Sequence, residues 1–208
     1  MTHKFVAFLF GIFFIFWTVR IYYKLYDKKI RKYVLSIGFL IVFWMFVRML
    51  KGIVGITTLE RYIWYLYYIP LIFIPTLFYI CSYSINNKLN VKVKRVFYVV
   101  SLLLFLLVIT NDLHEIVFKF KYSLDLYDDY KHNIGYYIIA IWIFYLLGMG
   151  MIKVSLNRLK IKKDYKVLVP FGVLLLGLVY TFLYVKDIPY IRDINMSVVN
   201  SVLIFLGI

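Results

Sequence analysis

Long apolar stretches recur along this chain, with every lysine and arginine except Arg48 lying outside them. No water-soluble fold can hide that pattern. Seven stretches stand out: residues 5–19, 33–50, 62–85, 96–118, 134–152, 167–185 and 194–208. A helix needs about 20 mostly apolar residues to cross a bilayer. Backbone groups in lipid must be paired within their own segment, which makes each stretch a helix. A transmembrane barrel would instead show short strands of alternating polarity, and the sequence has no such series. Hydrophobic residues make up 64% of the 208, well above the roughly 45–50% of a globular protein. The expected fold is an all-α membrane protein, a bundle of seven transmembrane helices that takes up residues 1–208 as one domain.

The charges give this bundle an orientation. The formal net charge is +15, which in a soluble domain would suggest nucleic acid. Here the cations sit in short clusters between apolar stretches, so nucleic acid is not an expected partner. Residues 20–32, 86–95 and 153–166 hold 16 of the 25 lysines and arginines and only two acids, Asp27 and Asp164. The rest of the chain holds nine cations against eight acids. Loops of alternating charge obey the positive-inside rule throughout. They place the amino terminus outside a bacterial cytoplasmic membrane in a multi-pass chain. Arg20, Lys24, Lys28 and Lys29 follow the first stretch where a secretion signal would carry a small-residue cleavage site, so that stretch reads as an uncleaved helix.

The last stretch holds 15 residues, or about 22 Å of helix at 1.5 Å per residue, against a hydrocarbon core of about 30 Å. It reads as a truncated helix whose completion would emerge in the cytoplasm, where an output domain would sit. The single cysteine, Cys81, lies inside an apolar stretch. It forms no intrachain disulfide and reads as packing.

Four features can carry function. The sharpest is Thr110–Phe118, TNDLHEIVF. Fifteen residues, 96–110, precede Asn111 without a charge, too few to span, so the fourth helix is expected to run on through residue 118. Asn111, His114 and Glu115 would then share one helical face in the outer part of the membrane, where polar groups face the bundle or a wet cavity. They line an outward-facing ligand pocket, or Asn111, Asp112 and His114 form an interhelical hydrogen-bond clamp. The two readings are compatible.

The second feature is YIWYLYYIPLIFIP, residues 62–75. Pro70 and Pro75 each remove a backbone donor and are expected to kink the third helix. Four tyrosines and Trp64 crowd its outer third, either as an interfacial aromatic belt or as an aromatic wall of the same pocket, with Trp64 and Tyr68 in the wall. The third is Arg48, which either snorkels or pairs with Asp112 or Glu115. The fourth is the set Asp125, Asp128, Asp129 and His132. On a helix these would share one face and suit a divalent cation, although a solvated acidic loop is the plainer reading.

No metal site, cofactor site or catalytic set is expected. There is no paired-histidine zinc helix, glycine-rich phosphate loop or nucleophile elbow. The His114-Glu115 pair has the order of a kinase phosphoacceptor, but the topology puts it on the side away from cytoplasmic ATP. Pro170 and Gly172 interrupt the sixth helix only mildly, and without an inverted repeat the case for a transporter is thin.

Taken together, Thr110-Asn111-Asp112-Leu113-His114, the following Ile116, Val117 and Phe118, and the seven-span layout resemble the histidine kinase N-terminal seven-helix region, a bacterial sensory input module. Leu59-Glu60-Arg61-Tyr62 and the two prolines after it are also similar to that family. Where its members often carry proline, this chain has Asp112. The resemblance covers the whole chain, with residues 110–114 its specific part. It implies a sensory domain of a two-component signal-transduction protein, without enzyme activity of its own and with a kinase or other output beyond the seventh helix.

The expected function is thus signal input. An external or membrane-borne small molecule, lipid or peptide binds among helices 2, 3 and 4, near Arg48, Trp64, Tyr68, Asn111, His114 and Glu115, in a module that can work as a homodimer. The alternatives are a non-catalytic membrane subunit that assembles with a partner, or a small transporter.

Overall fold

A computed structural model describes residues 2–24, 27–54, 58–84, 89–120 and 130–161. The expected sixth and seventh helices, 167–185 and 194–208, lie outside the described residues, as do Asp125, Asp128 and Asp129. The described chain is mostly helical. In order it forms α1 (Thr2–Lys24), α2 (Lys28–Val54), α3 (Thr58–Tyr65), α4 (Tyr68–Ser84), α5 (Val91–Ile109), a single turn α6 (Asn111–His114), strands β1 (Phe118–Phe120) and β2 (Tyr130–His132), and α7 (Ile134–Ile161).

Three stretches, Lys28–Lys51, Leu59–Ser84 and Ile134–Leu156, are long and apolar enough to cross a membrane. The helices reach beyond the apolar stretches because the basic flanks continue them. Asp27 caps α2, its Oδ1 accepting from the Lys29 and Ile30 N–H groups at 2.7 and 3.2 Å. Asn90 caps α5, its Oδ1 accepting from Lys92 N–H at 3.0 Å. Such caps satisfy donors that a helix start leaves open.

Helix α5 corrects the expectation of one helix over 96–118. It begins at Val91 and takes Lys92, Lys94 and Arg95 into its first turns. Its 19 residues already measure about 28 Å, so it has no need to run past Thr110. The stretch after it is not all helical either. β1 and β2 form a small antiparallel sheet in which Phe118 pairs with His132, Lys119 with Lys131 and Phe120 with Tyr130. An otherwise all-α expectation therefore gains one hairpin.

The break in the third expected helix also has a local cause. α3 and α4 are separated at Leu66–Tyr67, four residues before Pro70. Pro70 has no N–H for the Leu66 carbonyl, and its ring presses on that group. Ile69 N–H takes the carbonyl instead, at 3.1 Å, and Tyr67 N–H bonds Trp64 O at 3.0 Å. Pro75 sits within α4, which continues through it.

α4 is the central helix, packed against α2, α5 and α7, while α1 lies on the far side of α2. Where α1 and α2 meet, Gly38 is buried, and a Cβ there would collide with the Thr18 hydroxyl. Small residues of this kind let helices close in lipid. The bundle interior contains a polar relay. Trp142 Nε1 donates to Ser101 Oγ at 3.4 Å, Ser101 and Thr76 hydroxyls bond at 2.7 Å, and Thr76 Oγ1 donates to the Ile72 carbonyl at 3.0 Å. Phe16, Phe39, Leu103 and Ile141 point the other way, each more than half exposed. Apolar surfaces outside and hydrogen-bonded hydroxyls between helices suit a lipid solvent, in which apolar burial alone drives no helix association.

The end of α2, the start of α3 and the turn after α5 meet at one end of the bundle, the cap end, where Lys51 Nζ lies 4.0 Å from Glu60 Oε1 and Arg61 Nη1 3.4 Å from Asp112 Oδ1. The other end is basic: Lys94 Nζ of α5 donates to the Tyr33 hydroxyl of α2 at 3.2 Å, and Lys153 of α7 lies 5.0 Å from the centre of the Tyr83 ring of α4.

Candidate functional site: the cap end

Just after α5, the chain turns at Asn111, whose side chain is fully buried. Its Oδ1 accepts from Val117 and Phe118 N–H groups, both at 2.9 Å. Its Nδ2 donates to the Phe118 carbonyl at 2.8 Å and to the Tyr65 hydroxyl at 3.4 Å. One amide thus satisfies three backbone groups of a segment six and seven residues on. At this depth those groups would otherwise be buried without partners, at a cost of about 1–3 kcal/mol each.

The segment returns because the helix ends in a left-handed residue. Glu115 has φ 51° and ψ 25°, and its N–H bonds the Asn111 carbonyl at 2.7 Å. His114 closes the same turn. The Thr110 hydroxyl donates to the Leu106 carbonyl at 2.7 Å, so His114 Nε2, 3.2 Å from that hydroxyl, is the donor between them. His114 Nδ1 then accepts from Ile116 N–H at 3.0 Å. This pattern requires the Nε2–H tautomer.

These findings correct the single-face arrangement expected for Asn111, His114 and Glu115. Asn111 points into the core, His114 folds back along its own turn, and Glu115 is exposed outside the helix.

Asn133 latches the other side of the hairpin. Its Nδ2 donates to Glu115 O, and its N–H to Val117 O, both at 2.9 Å. The next turn sits so close that a Cβ on Gly135 would lie 2.9 Å from Ile116 O.

Held this way, Phe118 is fully buried among rings from four elements. Its centroid lies 4.8 Å from that of Trp64, 5.6 Å from Tyr68, 5.5 Å from Tyr130 and 6.0 Å from Tyr136. Trp64 and Tyr68, expected to line a ligand pocket or an interfacial belt, pack against Phe118 of the chain itself.

Charged groups border this aromatic cluster. Tyr65, also fully buried, donates to Asp112 Oδ1 at 2.6 Å. Arg61 Nη1 reaches the same oxygen at 3.4 Å, and the guanidinium carbon lies 4.1 Å from the centre of the Phe120 ring. One turn away, Lys51 Nζ is 4.0 Å from Glu60 Oε1. Asp112, one of two candidate partners for an Arg48 that otherwise snorkels, is met by Arg61 of α3; Arg48 lies one turn before Lys51 on α2.

His132 lies on strand β2, with its ring 4.0 Å from that of Tyr136. Burial lowers its pKa from the ordinary 6.5. This strand position replaces the helical spacing imagined for a cation site. Among the described residues, no group of three or more His, Cys, Asp or Glu side chains is placed to hold a metal ion.

Sequence reasoning met Arg61 only in the Leu59–Tyr62 resemblance and Tyr65 only among the tyrosines of residues 62–75, gave neither a role at the site, did not single out Asn133 or Gly135, and assigned Phe118 to a helix. Phe118-Lys-Phe120 and Tyr130-Lys-His132 do alternate ring and lysine with period two, the mark of a half-buried strand.

Comparison of the chain with known protein families, characterised proteins and solved structures finds no match.

Proposed function

We infer that this chain is a membrane-embedded signal-input module of the histidine-kinase type, with its basic end in the cytoplasm and its cap end outside. One observation carries the reading most directly: Phe118, on a hairpin, plugs a ring of aromatic side chains beside the Arg61–Asp112 pair. Ionisable groups at such a depth are costly and commonly mark function. A site filled by the chain's own side chain has two natural arrangements, plug in and plug out. An aromatic or amphipathic ligand from outside or from the membrane would compete with Phe118 for the ring, and would shift the balance by its differential affinity for the two states. α3 and α4 would carry the change inward, since Trp64 and Tyr68 line the ring and α4 contacts α2, α5 and α7.

The test is thermal unfolding of the purified chain against aromatic small molecules, lipids and peptides, alongside Phe118→Ala. A ligand at about 100 times its dissociation constant adds roughly 2.7 kcal/mol. The expected result is a ligand that stabilises the original chain weakly and Phe118→Ala more strongly, because the plug no longer competes. If no compound stabilises either form, the sensory reading fails and a non-catalytic membrane subunit becomes the better account.

A further inference from the structure

Away from the cap, a groove of about 630 Å³ runs between α2 and α5 over the face of α4. Leu35, Ser36, Phe39, Phe73, Leu77 and Tyr98 are among its lining residues. Its volume lies within the roughly 300–1,000 Å³ typical of small-ligand sites. Along α4 the groove extends from Ile69 to Leu77, about 12 Å at 1.5 Å per residue.

The apolar lining gives way to cations at one end only. Arg31, Lys32 and Lys94 precede Leu35, Ser36 and Tyr98 by four residues each, so each stands one turn nearer the basic end on the same helical face. Lys94 is held there by its 3.2 Å hydrogen bond to the Tyr33 hydroxyl. Among the described residues the acid at this end is Asp27, whose carboxylate is engaged in capping α2. An apolar channel ending in several cations is complementary to one anion with a long hydrocarbon tail.

The geometry points to this groove as a binding site for an anionic glycerophospholipid of the leaflet at the basic end, with an acyl chain along α4 and the phosphate near Lys32 and Lys94. The inference rests on the chain's being embedded in a membrane and is independent of its sensory role. Each lysine near a membrane surface contributes about fivefold to the affinity for anionic lipid. Loss of both should weaken the preference about thirtyfold.

The test places a photo-crosslinking side chain in the groove of the full chain, Phe73→benzoylphenylalanine. The protein is reconstituted in vesicles of equal parts phosphatidylglycerol and phosphatidylcholine with acyl chains of distinct mass, and adducts are weighed after illumination. Phosphatidylglycerol adducts should predominate. The preference should disappear in Lys32→Gln/Lys94→Gln and persist in Lys32→Arg/Lys94→Arg, which keeps the charge if the neutral pair folds poorly. Equal adducts of the two lipids in the original chain would overturn the site while leaving membrane embedding intact. Crosslinks to residues 162–208, or to a second copy, would overturn it by showing that protein fills the groove.

Discussion

Asn111 grips Phe118 by both backbone groups, accepting from its N–H at 2.9 Å and donating to its carbonyl at 2.8 Å. The aromatic plug is therefore fixed by its main chain as well as by its ring. Replacing Asn111 with Ala would strand the Val117 and Phe118 amides. Unfolding measurements in detergent should show a loss of about 2–5 kcal/mol, given roughly 1–3 kcal/mol for each buried unmet group. Asn111→Asp should cost as much or more, because a second carboxylate oxygen would face the Phe118 carbonyl. A change under about 0.5 kcal/mol, the range of ordinary surface substitutions, would mean that the clamp is not maintained in solution.

Phe118→Ala removes a fully buried ring. It should destabilise the chain by about 3–5 kcal/mol in the absence of ligand. Phe118→Leu should cost less, since it keeps most of the apolar contact. Equal losses for the two would show that ring geometry, rather than volume, holds the cap.

Arg61 and Asp112 should behave as a coupled pair. Arg61 is buried while Asp112 is exposed, so removing one partner should cost about 1–3 kcal/mol, between a surface pair at about 0–1 and a buried one at about 3–5. In a double-mutant cycle with Arg61→Ala and Asp112→Asn, the second change should cost less once the first is made. Additive losses would separate the two residues energetically, leaving Arg61 to act through the Phe120 ring.

Glu115 occupies a backbone region that a side chain adopts at a cost. Glu115→Gly should therefore be neutral, or stabilising by up to about 1 kcal/mol. Glu115→Val should destabilise, since a β-branched residue is a marked outlier there. If Gly destabilises instead, the Glu115 side chain has a role that the turn geometry does not explain.

His132 gives the cap a pH dependence of defined sign. Its folded pKa is below 6.5 because burial disfavours the charged ring. Between the two values the unfolded chain holds more protons, so stability rises with pH. The contribution is full above about 6.5 and is lost as pH falls through the folded value. Unfolding followed from about pH 8 to 5 should show this slope, and His132→Phe should flatten it. An unchanged slope in the variant would place the titration at another group.

The helices among the described residues were legible in the sequence because long apolar stretches that suit lipid leave the backbone no other way to pair there. Their ends were less so. Hydropathy records the lipid-facing length, whereas caps such as Asp27 and Asn90 set where α2 and α5 begin. Missing the start of α5 at Val91 made residues 96–110 look too short, and that error carried the helix through Asn111. Asn111 and His114 were recognisable as unusual from residue type and depth alone. The partners of Asn111 were not, because Tyr65 and Phe118 reach it through tertiary contacts and a hairpin of three-residue strands, which Asn133 holds at Glu115 O and Val117 O. Arg61 was passed over for Arg48: both carry the charge that could meet Asp112, and hydropathy does not show that the turn after α5 brings Asp112 to 3.4 Å from Arg61.

Most of the cap's anchorage runs through main-chain atoms: the amides of Val117 and Phe118, and the carbonyls of Glu115, Val117 and Phe118. Main-chain atoms are common to nearly every amino acid. The residues that grip, Asn111 and Asn133, have little latitude, while their hold does not depend on which side chain they grip. A substitution of the ring at 118, or of its neighbours at 120 and 130, would reshape the aromatic cluster while leaving these main-chain bonds in place.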